Sequence, residues 1–392
     1  MRVMTSSTSL LCVARQGDAP VLPVYMDGVW GSIFTFERNC YFKKWPRQLP
    51  YPVTVAFGRP VPANEATKEW AEAAFRKLSA EAFALRLELG HGLRRQWVRA
   101  LSPLRSPLNP RRARPAIVAD DGQRFGAGKL LRRLRRMADD ADDDTTLPEN
   151  SPEIEALLTR LAVSLRDNRV PGLQADARMI AAQVCHLRSI NLFMPDDVIR
   201  PVGDWHQPAL WMLGVLGPLL GGWTLWLGRS DAEEQGGQTV PQRIRGRRVM
   251  EVRALDGGRI EVRSPLPDGV GHEWARDRGA QWPPDRVLHG LAEPETGALL
   301  ALNLPEPPLP PDAEHQPSWR EGSVGKLLPG IAFERDTPIR LKGVPLGEQT
   351  WTLGDDASLD DAGFLFIKPS ADRVTATDGA APAPAGGYNK ET

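Results

Sequence analysis

A run with no charged side chain, Gln207 to Gly228 (QPALWMLGVLGPLLGGWTLWLG), limits what this chain can fold into. Leaving such a run in water costs about 25 cal/mol per Å² of apolar surface, so it must be covered on all sides. A bilayer could cover it, since a membrane helix needs about 20 apolar residues. The middle of a globular domain could also cover it. Pro218 and glycines 214, 217, 221 and 222 interrupt the run, which favours a helix–turn–strand of an α/β domain over one straight membrane helix. With 392 residues, 41% of them hydrophobic and 25% charged, the chain has enough material for one large or two medium domains of this kind. Its formal net charge is zero, so no overall field attracts nucleic acid, and none is expected as a partner.

Other segments fit the same class. Ala116 to Gly122 reads as a short strand and turn. Lys129 to Met137 (KLLRRLRRM) reads as a basic helix with Leu130, Leu131 and Leu134 facing inward, followed by an acidic run from Asp139 to Asp144. Gly257-Gly258 between two β-rich runs predicts a hairpin, because a two-residue glycine turn matches the twist of paired strands. Asn64 to Arg95 has helical apolar spacing at Ala66, Trp70, Leu78, Ala82, Phe83 and Leu87, with Asn64 as a candidate cap. Residues 99–115 are basic and rich in proline and read as a linker; 377–392 read as a disordered tail. Cys12, Cys40 and Cys185 follow no metal spacing and point to a reducing compartment. The apolar patch at Leu10–Val13 is too short for a signal-peptide core, so the expected location is cytoplasmic, with peripheral contact at the inner membrane as an option.

Val21 to Pro62 is the second informative stretch. Val21–Tyr25 and Tyr51–Phe57 read as short buried strands. Between them Trp30, Phe34, Phe36, Tyr41, Phe42 and Trp45 alternate with Arg38, Lys43, Lys44 and Arg47. One reading is a core β-α-β piece with a solvated basic loop. The other is a surface that covers an acyl chain with its rings and a phosphate head group with its cations.

Ala19-Pro20-Val21-Leu22-Pro23-Val24-Tyr25, continued by Asp27–Phe34, Lys43–Pro46 and Pro50–Pro60, resembles the C-terminal part of the lysophosphatidic-acid acyltransferase family. It is most similar to the bacterial version fused to an acyl-[acyl-carrier-protein] or acyl-CoA synthetase. From residue 114 onward the chain resembles the AMP-forming acyl ligases. Arg178–Leu192 is similar to the helix after their phosphate loop, and Pro218–Gly222 to a family turn. Gly290–Asn303 is similar to the segment around their Tyr-Gly-x-Thr-Glu motif, Gly322–Gly330 to their Gly-x-Val-Gly-x-x-x-Pro-Gly turn, and Trp351–Ile367 to the ribose-binding Gly-Asp and its hairpin. The resemblance implies an α/β fold with a partial acyltransferase sheet at 1–95, a linker at 96–115, a truncated adenylate-forming-ligase-like N-domain at 116–376 and a tail at 377–392.

The resemblance also implies a chemistry, and this chain departs from it. The acyltransferases use a His and an Asp spaced as His-x-x-x-x-Asp, upstream of the Val21 block, as a general-base pair. No His stands among residues 1–20, and the family's Glu-Gly block is missing. His272-to-Asp277 matches the spacing but lies far downstream, and we read it as accidental. The ligases cradle ATP phosphates in a Gly/Ser/Thr-rich loop ending in Pro-Lys-Gly. The corresponding Leu165–Leu173 (LRDNRVPGL) has one glycine, no hydroxyl, Pro171 in place of the Lys, and Asp167 to repel phosphate. Pro294-Glu295 replaces the Thr-Glu pair that contacts phosphate and Mg²⁺, and Asp355 matches the ribose-binding Asp. About 80 residues of the family domain look deleted, by typical α/β domain size. The small C-terminal domain with its catalytic Lys is expected to be absent from these residues.

No catalytic residue is therefore assigned. ATP and Mg²⁺ are implied by the resemblance only. The candidate lipid contacts are Arg38, Lys43, Lys44, Arg47 and His206, and the candidate nucleotide contacts are Glu295 and Asp355. Expected partners are a lysophospholipid or acyl chain and an acyl-carrier protein. The expectation is a lipid-metabolism protein that is catalytically impaired on its own. The alternatives are an acyl-binding or partner-binding pseudoenzyme and an inactive remnant.

Overall fold

The computed structural model describes residues 7–27, 53–88, 115–119, 123–139, 154–167, 169–190, 192–193, 197–228, 248–264, 282–306, 317–334, 338–347, 349–354, 356–368 and 375–376. In chain order the elements are α1 (Ser7–Gln16), β1 (Val24–Asp27), β2 (Thr54–Phe57), α2 (Lys68–Glu88), β3 (Pro115–Ala119), β4 (Arg124–Gly126), α3 (Ala127–Ala138), α4 (Ile154–Asp167), α5 (Ala177–Ser189) and β5 (Val198–Val202). A π-helical turn (Leu210–Leu216) runs into α6 (Gly217–Gly221), followed by β6 (Thr224–Leu227), β7 (Val249–Ala254), β8 (Arg259–Arg263), β9 (Val287–Ala292) and β10 (Leu299–Leu302). The last strands are β11 (Lys326–Leu327), β12 (Ile331–Glu334), β13 (Arg340–Gly343), β14 (Trp351–Thr352), β15 (Ala357–Leu359), β16 (Leu365–Ile367) and β17 (Thr375–Ala376).

The protein is mixed α/β. Its largest sheet has the order β11-β10-β9-β8-β7-β5-β6-β3-β4. The β7-β5-β6-β3 block is parallel, and antiparallel strands extend it on both sides. Parallel strands need cover on both faces. On one face α3, α4, α5, the π-helical turn and α6 supply it, joining Leu130, Leu134, Leu157, Leu161, Ile180, Leu187 and Trp211 into one core. The opposite face carries Val118, Val198 and Trp226, with an Arg200–Glu251 ion pair beside the Trp226 ring.

The 207–228 run lies at the centre of this core. Residues 209–221 and 223–227 are buried without exception. The helix is interrupted where the sequence indicates. Pro218 has no N–H to close a regular turn, and the Gly217 N–H reaches back five residues to the Met212 carbonyl. Gly222 then ends α6 in the left-handed conformation and β6 begins two residues later. No helix of the described residues is long and apolar enough to cross a membrane. α3 buries Leu130, Leu131, Leu134 and Ala138 and presents its arginines outward, as its pattern predicts. One of these, Arg133, pairs with Glu155 of α4 at 2.5 Å. The glycine hairpin joins β7 to β8, with Gly257 and Gly258 both at positive φ.

The N-terminal part corrects two expectations. β1 and β2 do pair, antiparallel, with Val24 opposite Phe57 and Met26 opposite Val55. They are not buried strands, however. That face is open: Met26 is 62% and Phe57 67% exposed. A two-stranded sheet against one helix has cover for a single face only. The covered face is held by α2: Leu78 lies against Gly58, the Tyr25 hydroxyl bonds Ser79, and Arg86 pairs with Asp27 at 3.0 Å. The second correction concerns the helix start. Thr67, not Asn64, caps α2, its hydroxyl accepting the Trp70 N–H at 3.1 Å. The aromatic–cationic segment with Arg38, Lys43, Lys44 and Arg47, the linker residues 99–114, the acidic residues 140–144, the His272–Asp277 pair and the tail all lie outside the described residues.

Candidate functional site

In an open parallel sheet, ligands meet the loops beyond the C-terminal ends of the strands. Here β5, β7 and β9 all end on one edge, because β8 runs antiparallel to both β7 and β9. Three turns therefore meet there: 203–208, 255–258 and 293–298. They are packed backbone to backbone. Gly297, at φ +70, sits where a Cβ would lie 2.3 Å from the Pro208 carbonyl carbon and oxygen. Gly258 has the same relation to the Ala292 carbonyl oxygen, at 2.2 Å. Only glycine permits both approaches. This packing brings two of the sequence candidates, His206 and Glu295, to neighbouring turns of one edge.

Their surroundings are specific. Asp204 accepts the His206 backbone N–H at 2.8 Å and lies 3.0 Å from its ring Nδ1, so the imidazole is held by a carboxylate and half exposed. The adjoining Trp205 is buried, edge-on to Trp211 with ring centres 6.2 Å apart, and its carbonyl accepts the Trp211 indole N–H at 2.8 Å. Glu295 is exposed. The fully buried carboxylate of the turn is Glu293, which accepts the N–H groups of Glu295 at 2.6 Å and Thr296 at 2.5 Å. Burial raises the Glu293 pKa and these hydrogen bonds oppose the rise. Glu293 was not among the sequence candidates. Its signal is local: a carboxylate two and three residues before the N–H groups of a tight Glu-Pro-Glu-Thr-Gly turn.

The segment similar to the ligase phosphate loop has a different form. It begins as the last turn of α4 and then folds back, the Leu173 N–H bonding the Val170 carbonyl at 3.0 Å. Arg160 of α4 packs against this segment. Its Nε donates to the Pro171 carbonyl at 2.8 Å, one guanidinium nitrogen lies 2.7 Å from where a Gly172 Cβ would be, and its carbon is 4.2 Å from the Trp211 ring centre. Burial lowers the Arg160 pKa to about 10. Sequence reasoning missed Arg160 because nothing in a helical RLAVSLRD run separates a buried arginine from a solvated one.

The remaining ligase-like segments are formed as turns and hairpins. Asn303 binds the Gly322–Gly330 turn through the Ser323 carbonyl at 2.8 Å, and β15–β16 is the hairpin after Gly354. Asp355 lies outside the described residues. For ATP and Mg²⁺ the fit is poor at the described residues: the loop that should present free N–H groups is closed on itself, Glu293 is used within its own turn, and no group of three His, Cys, Asp or Glu side chains is placed to hold a metal. A hollow of about 450 Å³ lined by Arg15, Asp18, Ala63 and Asn64 lies in the N-terminal part, away from this edge, and Arg15 is committed to the Ala63 and Ala66 carbonyls.

Comparison with solved structures returns acyl-CoA ligases. Apo MatB from Rhodopseudomonas palustris is similar at 13% identity, over 70% of this chain and 78% of that one, with a TM-score of 0.43. A malonyl-CoA ligase ternary product complex with methylmalonyl-CoA and AMP bound is similar at 14% identity, over 70% and 81% of the two chains, with a TM-score of 0.40. An ATP-bound RpMatB-BxBclM chimera is similar at 12% identity, over 70% and 78%, also with a TM-score of 0.40. No protein-family model matches the chain, and no curated protein sequence does.

Proposed function

We propose that this chain is a lipid-metabolism protein of the acyltransferase and acyl-[acyl-carrier-protein] synthetase type whose ligase-like part serves as a scaffold and does not form acyl adenylates on its own. The observation that carries the reading is Arg160. A phosphate cradle needs outward backbone N–H groups, and at Leu165–Leu173 a buried guanidinium holds the loop shut from within. Partners in this reading are an acyl chain or lysophospholipid and an acyl-carrier protein. The sequence likeness at Ala19–Pro60 supports the lipid, and the open apolar face of β1–β2 fits it.

The test is pyrophosphate exchange by the purified chain with ATP, Mg²⁺ and a panel of short to long carboxylic acids, alongside co-sedimentation with vesicles containing lysophosphatidic acid. Background exchange together with lipid binding is expected. Exchange well above background that Glu295→Gln abolishes would overturn the scaffold reading. Absence of both exchange and lipid binding would favour the inactive remnant.

A further inference from the structure

α3 departs from the charge pattern that stabilises a surface helix. Its 12 residues hold five cations, Lys129, Arg132, Arg133, Arg135 and Arg136, and no acid, in a chain whose 49 basic and 49 acidic residues balance. Lys129 and Arg133 stand four residues apart, as do Arg132 and Arg136, and like charges at that spacing destabilise a helix. No acid in the first turn meets the positive end of the helix dipole, and Lys129 lies close to that end instead. The N-cap is Gly126, which supplies no side-chain hydrogen bond. Departures of this kind concentrate at functional surfaces.

The fold itself uses little of this charge. Arg133 pairs with Glu155 of α4, and its guanidinium carbon lies 5.4 Å from the Phe125 ring centre. Arg132 reaches only the Gly128 carbonyl of its own helix, at 3.3 Å. Among the described residues no carboxylate pairs with Lys129, Arg132, Arg135 or Arg136, and all four are exposed. Lys129, Arg132 and Arg136, at i, i+3 and i+7, fall on one line along the outer side. Arg124 of the edge strand β4 is a further exposed cation beside the start of the helix. Two described acids lie close by in the fold: Glu155, taken by Arg133, and Asp139, exposed at the helix end. The inner side is committed, with Leu130, Leu131, Leu134 and Ala138 buried in the core. The helix therefore has no apolar face left to insert into a bilayer, and what it presents outward is charge.

We infer that the outer face of α3 is a docking surface for an anionic phospholipid bilayer, whose phosphate head groups are held by Lys129, Arg132, Arg135 and Arg136 while the helix stays packed in its domain. Guanidinium forks match pairs of phosphate oxygens. A bilayer presents its phosphates in a plane, which suits cations confined to one side of a helix about 18 Å long. A lipid surface is favoured over a nucleic acid by the lipid reading above and by the zero net charge, which leaves no general positive field for a polyanion to follow. The contact is distinct from the open β1–β2 face, which is apolar.

Co-sedimentation of the full chain with vesicles tests this, using phosphatidylcholine alone and phosphatidylcholine mixed with phosphatidylglycerol. Each cation near an anionic surface contributes a factor of about 5. Replacing two of them, Arg132→Gln with Arg136→Gln, should weaken binding to the mixed vesicles about 30-fold and leave binding to phosphatidylcholine alone unchanged. In about 1 M salt, where the screening length is about 3 Å, the wild type should bind both vesicles alike. Glutamine is a good helix former and the double substitution removes a like-charge pair, so the thermal midpoint should hold or rise slightly. A clear fall in the midpoint would mean that the cations serve the chain's own acids, the run from Asp139 to Asp144 among them, and would overturn the docking surface. Equal binding of variant and wild type to the mixed vesicles would overturn it as well and leave the lipid reading of β1–β2 standing, since Phe57→Ser tests that reading separately on both vesicles. A wild type with no preference for the mixed vesicles would also overturn it, and salt-sensitive binding of duplex DNA in its place would assign the face to nucleic acid.

Discussion

The described residues of the N-terminal part, 7–27 and 53–88, and those of the sheet domain treat their apolar side chains in opposite ways. Every large apolar side chain that stands well exposed among the described residues lies in the first part: Val13, Leu22, Val24, Met26, Val53, Val55, Phe57 and Leu85. The described residues of the sheet domain have none, although they include the most apolar run in the chain. The difference is one of layers. A sheet with helices along one face and cover on the other closes its core, whereas two strands on one helix leave a face open. Open apolar faces mark contact surfaces, and in the reading proposed above the lipid meets the smaller part.

Substitutions should break or sharpen this contrast in a definite order. Trp211→Ala empties the centre of the sheet domain and should cost about 3–5 kcal/mol, read as a lower denaturation midpoint for the whole chain. Phe83→Ala should cost a similar or smaller amount, on the order of 3 kcal/mol, but where α2 packs on Ala182 of α5. It should expose residues 68–88 to proteolysis while the sheet domain's midpoint moves little. An equal loss in both parts would mean that they fold as one unit. Glu293→Ala strands two N–H groups in a buried turn and should cost about 2 kcal/mol, with disorder at 203–208 seen as line broadening. Phe57→Ser should change stability by less than about 0.5 kcal/mol and lower self-association or lipid binding. A large loss of stability would show that the face is covered after all.

Much of the fold is legible from local chemistry. Pro218 and its glycines divide the apolar run, Gly257-Gly258 turns a hairpin, and three leucines at helical spacing orient α3. In each case the residue acts on its own backbone or within one turn, so its neighbours in sequence are the neighbours that matter. The candidate site was less legible. His206 and Glu295 were named, and the structure brings their turns to one edge. The groups with the strongest constraints, Glu293 and Arg160, were not named. Each depends on a partner or cover that sequence spacing does not identify: the inward side of a turn for one, the Pro171 carbonyl for the other.

The exposure of β1 and β2 belongs to the same class. Val-Tyr-Met and Val-Ala-Phe determine a β conformation through their branched and aromatic side chains, whether or not anything covers them. The sequence by itself determined where helices and strands form and which run must be buried. Tertiary structure alone decided which faces are closed and that a buried arginine holds the Pro171 carbonyl, because burial is a property of what arrives from elsewhere in the chain.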